Sequence, residues 1–247
     1  MDVFGQTRSR VARNYALLTA DTHVSAPLIG WTDSAAVVHI SPEMGARFTQ
    51  YTATMAAGAS SGLPGDNVQR FVFVRSGTVT IQLDGKHELT TGGYAFVPAN
   101  TKHAIRSEGE SVLVVFEKSY QVHESESPPE PVIGHIDKVK GEPFLGDEDA
   151  MLQTLLPIHP SFDMAVNLFT YQPGATLPFV EIHVMEHGLL MTSGKGVYRL
   201  GKDYFPVTEG DIIWMASYCP QWFVAMGKTP ASYLYYKDIH RDRLTDK

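Results

Sequence analysis

The chain alternates short apolar runs with polar turns, and long segments of helical periodicity are hard to find. Runs rich in β-branched and aromatic residues recur along it, among them RFVFVRSGTVTIQL, SVLVVFEK, MAVNLFTYQP, GVYRLG, DIIWMA and ASYLYYKDI. Gly, Pro, Asn and Asp separate these runs. Many short strands joined by frequent turns are typical of an all-β sandwich or barrel. The pattern therefore predicts an all-β protein.

The same order of strands and turns occurs twice along the chain. One copy is VRSGTVTIQLDGKHELTTGGYAFVPANTKHAI and the other is MTSGKGVYRLGKDYFPVTEGDIIWMASYCPQWF. The matched positions are Ser76 and Ser193, Gly77 and Gly194, Gly92 and Gly210, Pro98 and Ala216, and His103 and Gln221. A charged, Pro-rich stretch separates the copies and reads as a linker or crossing segment. The repeat predicts two tandem barrels, with a first domain at 1–122, a linker at 123–143 and a second domain at 144–247.

Composition narrows the classes of partner. With 20 basic and 27 acidic residues the chain carries a net charge of −7, which argues against nucleic acid or an anionic membrane as the main partner. The single cysteine, Cys219, excludes an intrachain disulfide and suits a reducing compartment. The first 18 residues lack the apolar core of a secretory signal, and no apolar stretch approaches the roughly 20 residues of a membrane span. We expect a soluble, cytoplasmic protein.

The stretch EIHVMEHGLL groups three potential metal ligands. In a strand, Glu181 and His183 would share one face, and His187 would open the next strand after a short bend. The repeat places Gln221 beside them, on a later strand. Two imidazoles, a carboxylate and an amide suit Mn²⁺, Fe²⁺ or Ni²⁺ better than structural Zn²⁺. Any one of these residues alone reads as an edge or core polar residue, but as a set they are predicted to be ligands.

Residues near the predicted ligands, and the aligned residues of the first repeat, are not predicted to bind metal. Glu186 is expected to support the site indirectly or to be solvated, and Cys219 is expected to pack in the core. In the first repeat the aligned positions hold Pro64, Asp66, Arg70 and His103. One His and one Asp opposed by an Arg make a poor divalent site, so the N-terminal half is predicted to be metal-free.

The last strand-like run, ASYLYYKDI, brings a lysine to the inward face. Tyr233, Tyr235 and Lys237 alternate along it and therefore share a face. An inward lysine is costly unless it is paired or used, and near a bound cation it would lose its proton more readily. The alternative is a solvated lysine at the strand end, beside Asp238. Tyr198 is equally well interpreted as a pocket residue or as a core aromatic.

The repeat resembles the cupin superfamily. Gly174, Glu181, His183, His187 and Gly194 occupy its first motif, whereas Gly210, Ala216 and Gln221 occupy the second, and three of the four usual ligands are changed. This permuted set, with EIHVMEHG, GKGVYRL, GDIIWMASYCPQWF, YLYYKD and the N-terminal RNYALLTADTHVSAPLIGW, resembles the (S)-ureidoglycine aminohydrolase family over nearly the whole chain.

The resemblance carries specific expectations. It implies two tandem cupin barrels of the double-stranded β-helix type, and one Mn²⁺ per chain in the second barrel, held by Glu181, His183, His187 and Gln221. It implies replacement of the amine of ureidoglycine by hydroxyl, giving ureidoglycolate and ammonia in purine catabolism. Lys237 would move the proton and Tyr233 would contact the substrate, together with Glu181, His187 and Gln221. Cupins generally pair through strand edges, so a homo-oligomer is expected.

Two other classes of function stay open. Another cupin metalloenzyme, a dioxygenase or an isomerase, would usually keep the His-rich ligand set, and Gln221 counts against it. A non-enzymatic sugar sensor would usually carry a helix-turn-helix module, and the sequence shows no helical DNA-binding segment and no basic patch. A storage-type bicupin would need neither a complete ligand set nor an inward lysine. The bound metal would separate these classes, because manganese favours the aminohydrolase, iron or nickel favours the oxygenase, and the absence of metal favours the non-enzymatic binding protein.

Overall fold

The computed structural model describes residues 7–242, so the predicted outer boundaries at residues 1 and 247 lie outside the described residues. Within that range the regular structure is almost entirely β-strand, with single-turn 3-10 helices at Ala20–Thr22, Pro42–Met44 and Ile136–Lys138. The strands are β1 Arg10–Val11, β2 Tyr15–Leu18, β3 Ala26–Pro27, β4 Thr32–Ile40, β5 Thr49–Ser60, β6 Val68–Ser76, β7 Thr78–Gln82, β8 Lys86–Thr90, β9 Gly93–Val97, β10 Ala104–Ser107, β11 Ser111–Ser119, β12 Val132–His135, β13 Glu142–Phe144, β14 Asp147–Thr154, β15 Met164–Tyr171, β16 His187–Ser193, β17 Lys195–Leu200, β18 Asp203–Thr208, β19 Ile212–Met215, β20 Gln221–Ala225 and β21 Ala231–Asp238.

The N-terminal unit comprises residues 24–139 and 158–163. Its antiparallel sheet has the order β12-β9-β6-β11-β5-β10-β7-β8, and β4 and β3 continue outward from β5. Alternate residues of each strand point inward, because side chains along a strand take opposite faces. The resulting core contains Tyr51, Ala53, Met55, Val72, Val74, Leu113 and Val115, among others.

The C-terminal unit comprises residues 7–23, 140–157 and 164–242. It is built from one sheet of order β1-β2-β19-β16-β21-β15-β14-β13 and a smaller one of order β18-β17-β20. Its core is rich in aromatic residues and includes Tyr15, Phe169, Tyr171, Tyr198, Phe223, Tyr233 and Tyr235.

The two units repeat one strand order. The run β12-β9-β6-β11-β5-β4-β3 of the N-terminal unit corresponds to β2-β19-β16-β21-β15-β14-β13 of the C-terminal unit. The shared turn glycines, Gly77 and Gly194, have positive φ angles of 85° and 72°. A side chain at either position would bring its Cβ within 2.5 Å of a backbone oxygen. The prediction of an all-β fold made of two tandem barrels is therefore confirmed.

The observed units differ from the predicted boundaries. Strand β2, which was assigned to the first barrel, pairs with β19 of the C-terminal unit, while the predicted linker contributes β12, which pairs with β9. In each unit the added strand covers an edge of the sheet that would otherwise present unpaired N–H and C=O groups. Residues 158–163 also belong to the N-terminal unit, where the buried carboxylate of Asp163 accepts hydrogen bonds from Lys118, Gln69 and the backbone N–H of Gln121.

Across residues 7–242, no helix has the length and apolar character that crossing a membrane would require.

Candidate metal centre and substrate pocket

A small cavity lies inside the C-terminal unit. Its volume is about 120 Å³. Apolar and aromatic side chains form most of its wall, and a few polar groups converge at one end. The lining residues are Phe144, Leu152, Phe169, Leu177, Glu181, His183, Met185, His187, Leu189, Tyr198, Met215, Gln221, Tyr233, Tyr235 and Lys237.

The four predicted ligands meet around one atom, Nε2 of His183. The side-chain nitrogen of Gln221 lies 2.8 Å from it, Nε2 of His187 lies 3.2 Å away, and a carboxylate oxygen of Glu181 lies 4.0 Å away. His187 and Gln221 are buried, whereas His183 and Glu181 retain 25% and 22% of their side-chain exposure. The polar end of the cavity therefore opens on the side of Glu181 and His183.

The backbone selects the tautomer of His183. Its Nδ1 lies 3.2 Å from the carbonyl oxygen of Met185, which can only accept, so Nδ1 carries the hydrogen. Nε2 then presents a lone pair to the cavity. Hydrogen bonding of Nδ1 to a backbone carbonyl is the arrangement commonly found behind a metal-ligating Nε2.

The local backbone differs from the predicted strand over 181–183. Glu181 forms an isolated antiparallel bridge with Gln221, through hydrogen bonds of 2.9 and 3.0 Å, and residues 182 and 183 have no strand partner. The backbone N–H of Tyr218 donates to the carbonyl of His183 at 2.7 Å, which holds this loop in place. The bridge brings Gln221 beside Glu181, as the repeat predicted, although the two residues 181 and 183 do not share a continuous strand.

Burial disfavours charge on every titratable group of the cavity. It raises the pKa of Glu181 and lowers the pKa of Lys237, and the attraction between these two groups opposes both shifts. It also lowers the pKa of His183 and, more strongly, that of His187, which His183 and Lys237 lower further. Both imidazoles are therefore neutral at neutral pH, the state that a metal ligand requires.

The donor set fits a divalent ion by its chemistry. Two neutral imidazoles, a carboxylate and an amide oxygen form a mixed N/O set without thiolate, as manganese, iron or nickel prefer. The Nε2 atoms of His183 and His187 are 3.2 Å apart, close to the separation of two ligands that each lie about 2.1 Å from one ion. Among residues 7–242, however, no group of three His, Cys, Asp or Glu side chains is tight enough to form a site unaided.

Lys237 and Tyr233 lie on the inward face of β21, as the period-two pattern predicted. Lys237 pairs across the sheet with His187, and both line the cavity. Tyr233 is 3% exposed, and its hydroxyl lies 2.8 Å from that of Tyr171. Tyr198 lines the cavity and also belongs to the aromatic core of the C-terminal unit, so both interpretations of that residue apply.

Cys219 and Glu186, which are close in sequence to the predicted ligands, are buried but do not line the cavity. Cys219 packs in the core of the C-terminal unit, as predicted. Glu186 is 2% exposed, so it is not solvated. Its backbone N–H donates to Asp238 at 2.6 Å, which ties the loop before His187 to the end of β21, and its carboxylate lies 3.5 Å from the indole nitrogen of Trp214.

In the N-terminal unit, the guanidinium group of Arg70 occupies the strand position that corresponds to His187. Arg70 pairs with Glu117 across β6 and β11, as His187 pairs with Lys237 across β16 and β21. Arg70 is 2% exposed and donates to Glu117 at 2.7 Å, to His103 at 2.9 Å and to the carbonyl of Gly62 at 2.8 Å. A permanent cation thus occupies this barrel. Sequence reasoning identified Arg70 and His103 but missed Glu117, which follows from the repeat once Lys237 is matched to it.

The fold and these sites define a two-barrel protein of the cupin class. A family model described as a cupin domain matches residues 51–117, within the barrel that contains Arg70. The chain is 39% identical over 247 residues to an (S)-ureidoglycine aminohydrolase of Arabidopsis thaliana, covering 98% of this chain and 82% of that protein. It is 32% identical over 234 residues to the (S)-ureidoglycine aminohydrolase of Escherichia coli strain K12, covering 93% and 90%.

The chain therefore belongs to the (S)-ureidoglycine aminohydrolase family. Among solved structures, the crystal structure of protein Ylba from E. coli superposes with a TM-score of 0.85 at 30% identity, covering 96% of both chains. Both barrels are included in these matches, so the family relationship extends over the arginine-containing unit as well as the pocket.

Proposed function

We propose that this protein is an (S)-ureidoglycine aminohydrolase, which replaces the amine of ureidoglycine by hydroxyl and yields ureidoglycolate and ammonia in ureide catabolism. Membership of the family supports the reaction. The single observation that carries the proposal is the convergence of Glu181, His187 and Gln221 on Nε2 of His183, at the wall of a cavity of about 120 Å³.

We further propose that Glu181, His183, His187 and Gln221 hold one Mn²⁺ per chain. When bound there, the ion would act as a Lewis acid and template for the carboxylate and a neighbouring heteroatom of the substrate. Glu181, His187 and Gln221 border the same space, and they contact the substrate as it lies against the ion. The N-terminal barrel binds no metal in this proposal, since Arg70 already supplies a cation there.

Lys237 is proposed to move the proton during departure of the amine. It lies beside His187 on the neighbouring strand and lines the cavity, so its ammonium group is within reach of a small substrate. Donation from Nζ to the leaving amine produces ammonia, and a proton from the incoming water restores the lysine. Tyr233, two inward positions earlier on the same strand, is proposed to hold the other end of the substrate.

The remaining features of the proposal concern the whole protein. The arginine-containing barrel serves folding and assembly, and the chain forms a homo-oligomer through strand edges. The single cysteine supports a cytoplasmic location.

The direct test is an ammonia-release assay with freshly made ureidoglycine and the purified full chain, with the ureidoglycolate formed measured in the same sample. Stoichiometric release of both products at a rate well above the uncatalysed reaction supports the proposal. A protein that carries iron or nickel and consumes oxygen instead would be a dioxygenase, and the proposal would be rejected.

A further inference from the structure

Three tyrosines, Tyr171, Tyr198 and Tyr233, pack together beside the cavity. Tyr171 ends β15, while Tyr233 belongs to β21 next to it and Tyr198 to β17. The hydroxyls of Tyr171 and Tyr233 are 2.8 Å apart, and the rings of Tyr198 and Tyr233 pack edge to face with centroids 6.3 Å apart. Tyr198 and Tyr233 line the cavity, but Tyr171, with no exposed surface, is not among the described residues of its wall.

The direction of the hydrogen bond between Tyr171 and Tyr233 follows from what each hydroxyl can reach. A phenol has one hydrogen to donate and two lone pairs to accept with. Tyr233 is the hydrogen-bond partner found for the Tyr171 hydroxyl among residues 7–242. If Tyr171 accepted, its own hydrogen would be buried without an acceptor, which costs about 1–3 kcal/mol. Tyr171 therefore donates, and Tyr233 accepts.

This direction determines what Tyr233 offers to a ligand. Because one lone pair of its oxygen is engaged by Tyr171, its own hydrogen is free to turn toward Tyr198 or into the cavity. When that hydrogen points into the cavity, Tyr233 faces a ligand as a donor, and a donor selects an acceptor on the ligand. Glu181 and Lys237 line the same cavity as Tyr198 and Tyr233.

We infer that Tyr171 is a positioning residue that fixes the Tyr233 hydroxyl as a donor to an uncharged carbonyl oxygen, which for the proposed substrate is the ureido carbonyl. The inference rests on the proposed function for the identity of that carbonyl. Tyr171 touches no substrate and acts only through Tyr233. The cavity therefore distinguishes ligands with a ureido group from simple hydroxy or amino acids.

The test uses hydantoate, which is ureidoglycine without its amine, as an unreactive probe. Its dissociation constant is measured by calorimetry with the full-length manganese-loaded protein and with the variants Tyr171→Phe, Tyr233→Phe and the double variant. Tyr204→Phe, at a 57% exposed position of the same unit, is the matched control. We expect Tyr171→Phe to weaken binding about three- to tenfold, and the double variant to bind no more weakly than Tyr233→Phe alone.

The comparison of the double variant with the two single variants shows whether Tyr171 acts by positioning Tyr233 or only by packing in the core. If Tyr171 only packs in the core, the loss of hydantoate affinity caused by Tyr171→Phe adds to the loss caused by Tyr233→Phe, or Tyr171→Phe lowers only the melting temperature. Either result overturns the inference. Wild-type binding of hydantoate no tighter than that of glycolate also overturns it. Ammonia release is measured separately, so a wild type that shows the coupling but releases no ammonia would refute the proposed function and leave the inference standing.

Discussion

Replacing Lys237 by Met removes the ammonium group and keeps most of the apolar stem. If Lys237 transfers the proton to the leaving amine, turnover falls by roughly 10²-fold or more, the usual scale for a general acid–base group. That factor corresponds to about 2.7 kcal/mol in the activation barrier. Folding changes little, by about 1 kcal/mol or less, because the half-buried stem is conserved and no ion pair is broken among the described partners.

The assay compares steady-state ammonia release, metal content and melting temperature of Lys237→Met with the wild type. Lys228→Met is the control, since it makes the same change at an exposed position of the same unit. We expect Lys237→Met to lower kcat while KM changes by a small factor, the pattern for an interaction made in the transition state. The control should match the wild type in all three measurements.

The reasoning about Lys237 is refuted if the variant releases ammonia at near the wild-type rate. The lysine would then be a spectator at the strand end, and the proton would have to come from another group of the cavity or from water. A loss of activity accompanied by a loss of bound metal would also contradict it, because the lysine would then act on the ligand set rather than on the proton.

The other predictions concern metal content and stability. A His183→Ala, His187→Ala double variant should lose the bound manganese, and a second tightly held metal that persists in it would show that the other barrel also binds one. Glu117→Gln should lower the free energy of unfolding by about 2–3 kcal/mol in urea, because it leaves the buried guanidinium of Arg70 without its charged partner, and a change below about 0.5 kcal/mol would mean that the pair is dispensable. Burial lowers the pKa of His103, so its contribution to stability is complete above pH 6.5 and is lost as the pH falls through the lowered value. Between pH 7.5 and 5.5, the free energy of unfolding should therefore decrease less in His103→Gln than in the wild type. Equal decreases would contradict the lowered pKa of His103.

Much of the site was predictable because its residues follow a period of two on strands with clear turn signals. Tyr233, Tyr235 and Lys237 share the cavity wall for this reason. The internal repeat located Gln221 next to Glu181 without any alignment to other chains. The expected strand over 181–183 is instead a single bridge followed by a loop, because the hydrogen-bonding groups of residue 183 go to Tyr218 and Met185.

The exchange of edge strands was not predictable from local pattern. Both β2 and β12 are four-residue segments, and nothing in four residues specifies which distant sheet edge they will pair with. The sheet edge with which such a strand pairs is selected by contacts with residues that are distant in sequence. The hydrogen bonds of Tyr15 to Asp203 and of Arg8 to Asp211 are examples. Glu117 was missed for a similar reason, since its role depends on the buried Arg70 opposite it rather than on its own neighbours in sequence.

The central claim is that catalysis depends on one Mn²⁺ held in the C-terminal barrel. The most direct measurement is a titration of the metal-stripped full-length protein with Mn²⁺, following ammonia release from fresh ureidoglycine. We expect activity to be absent at the start, to rise in proportion to bound manganese, and to saturate at one ion per chain. Full activity without manganese, or saturation only at two ions per chain, would contradict it.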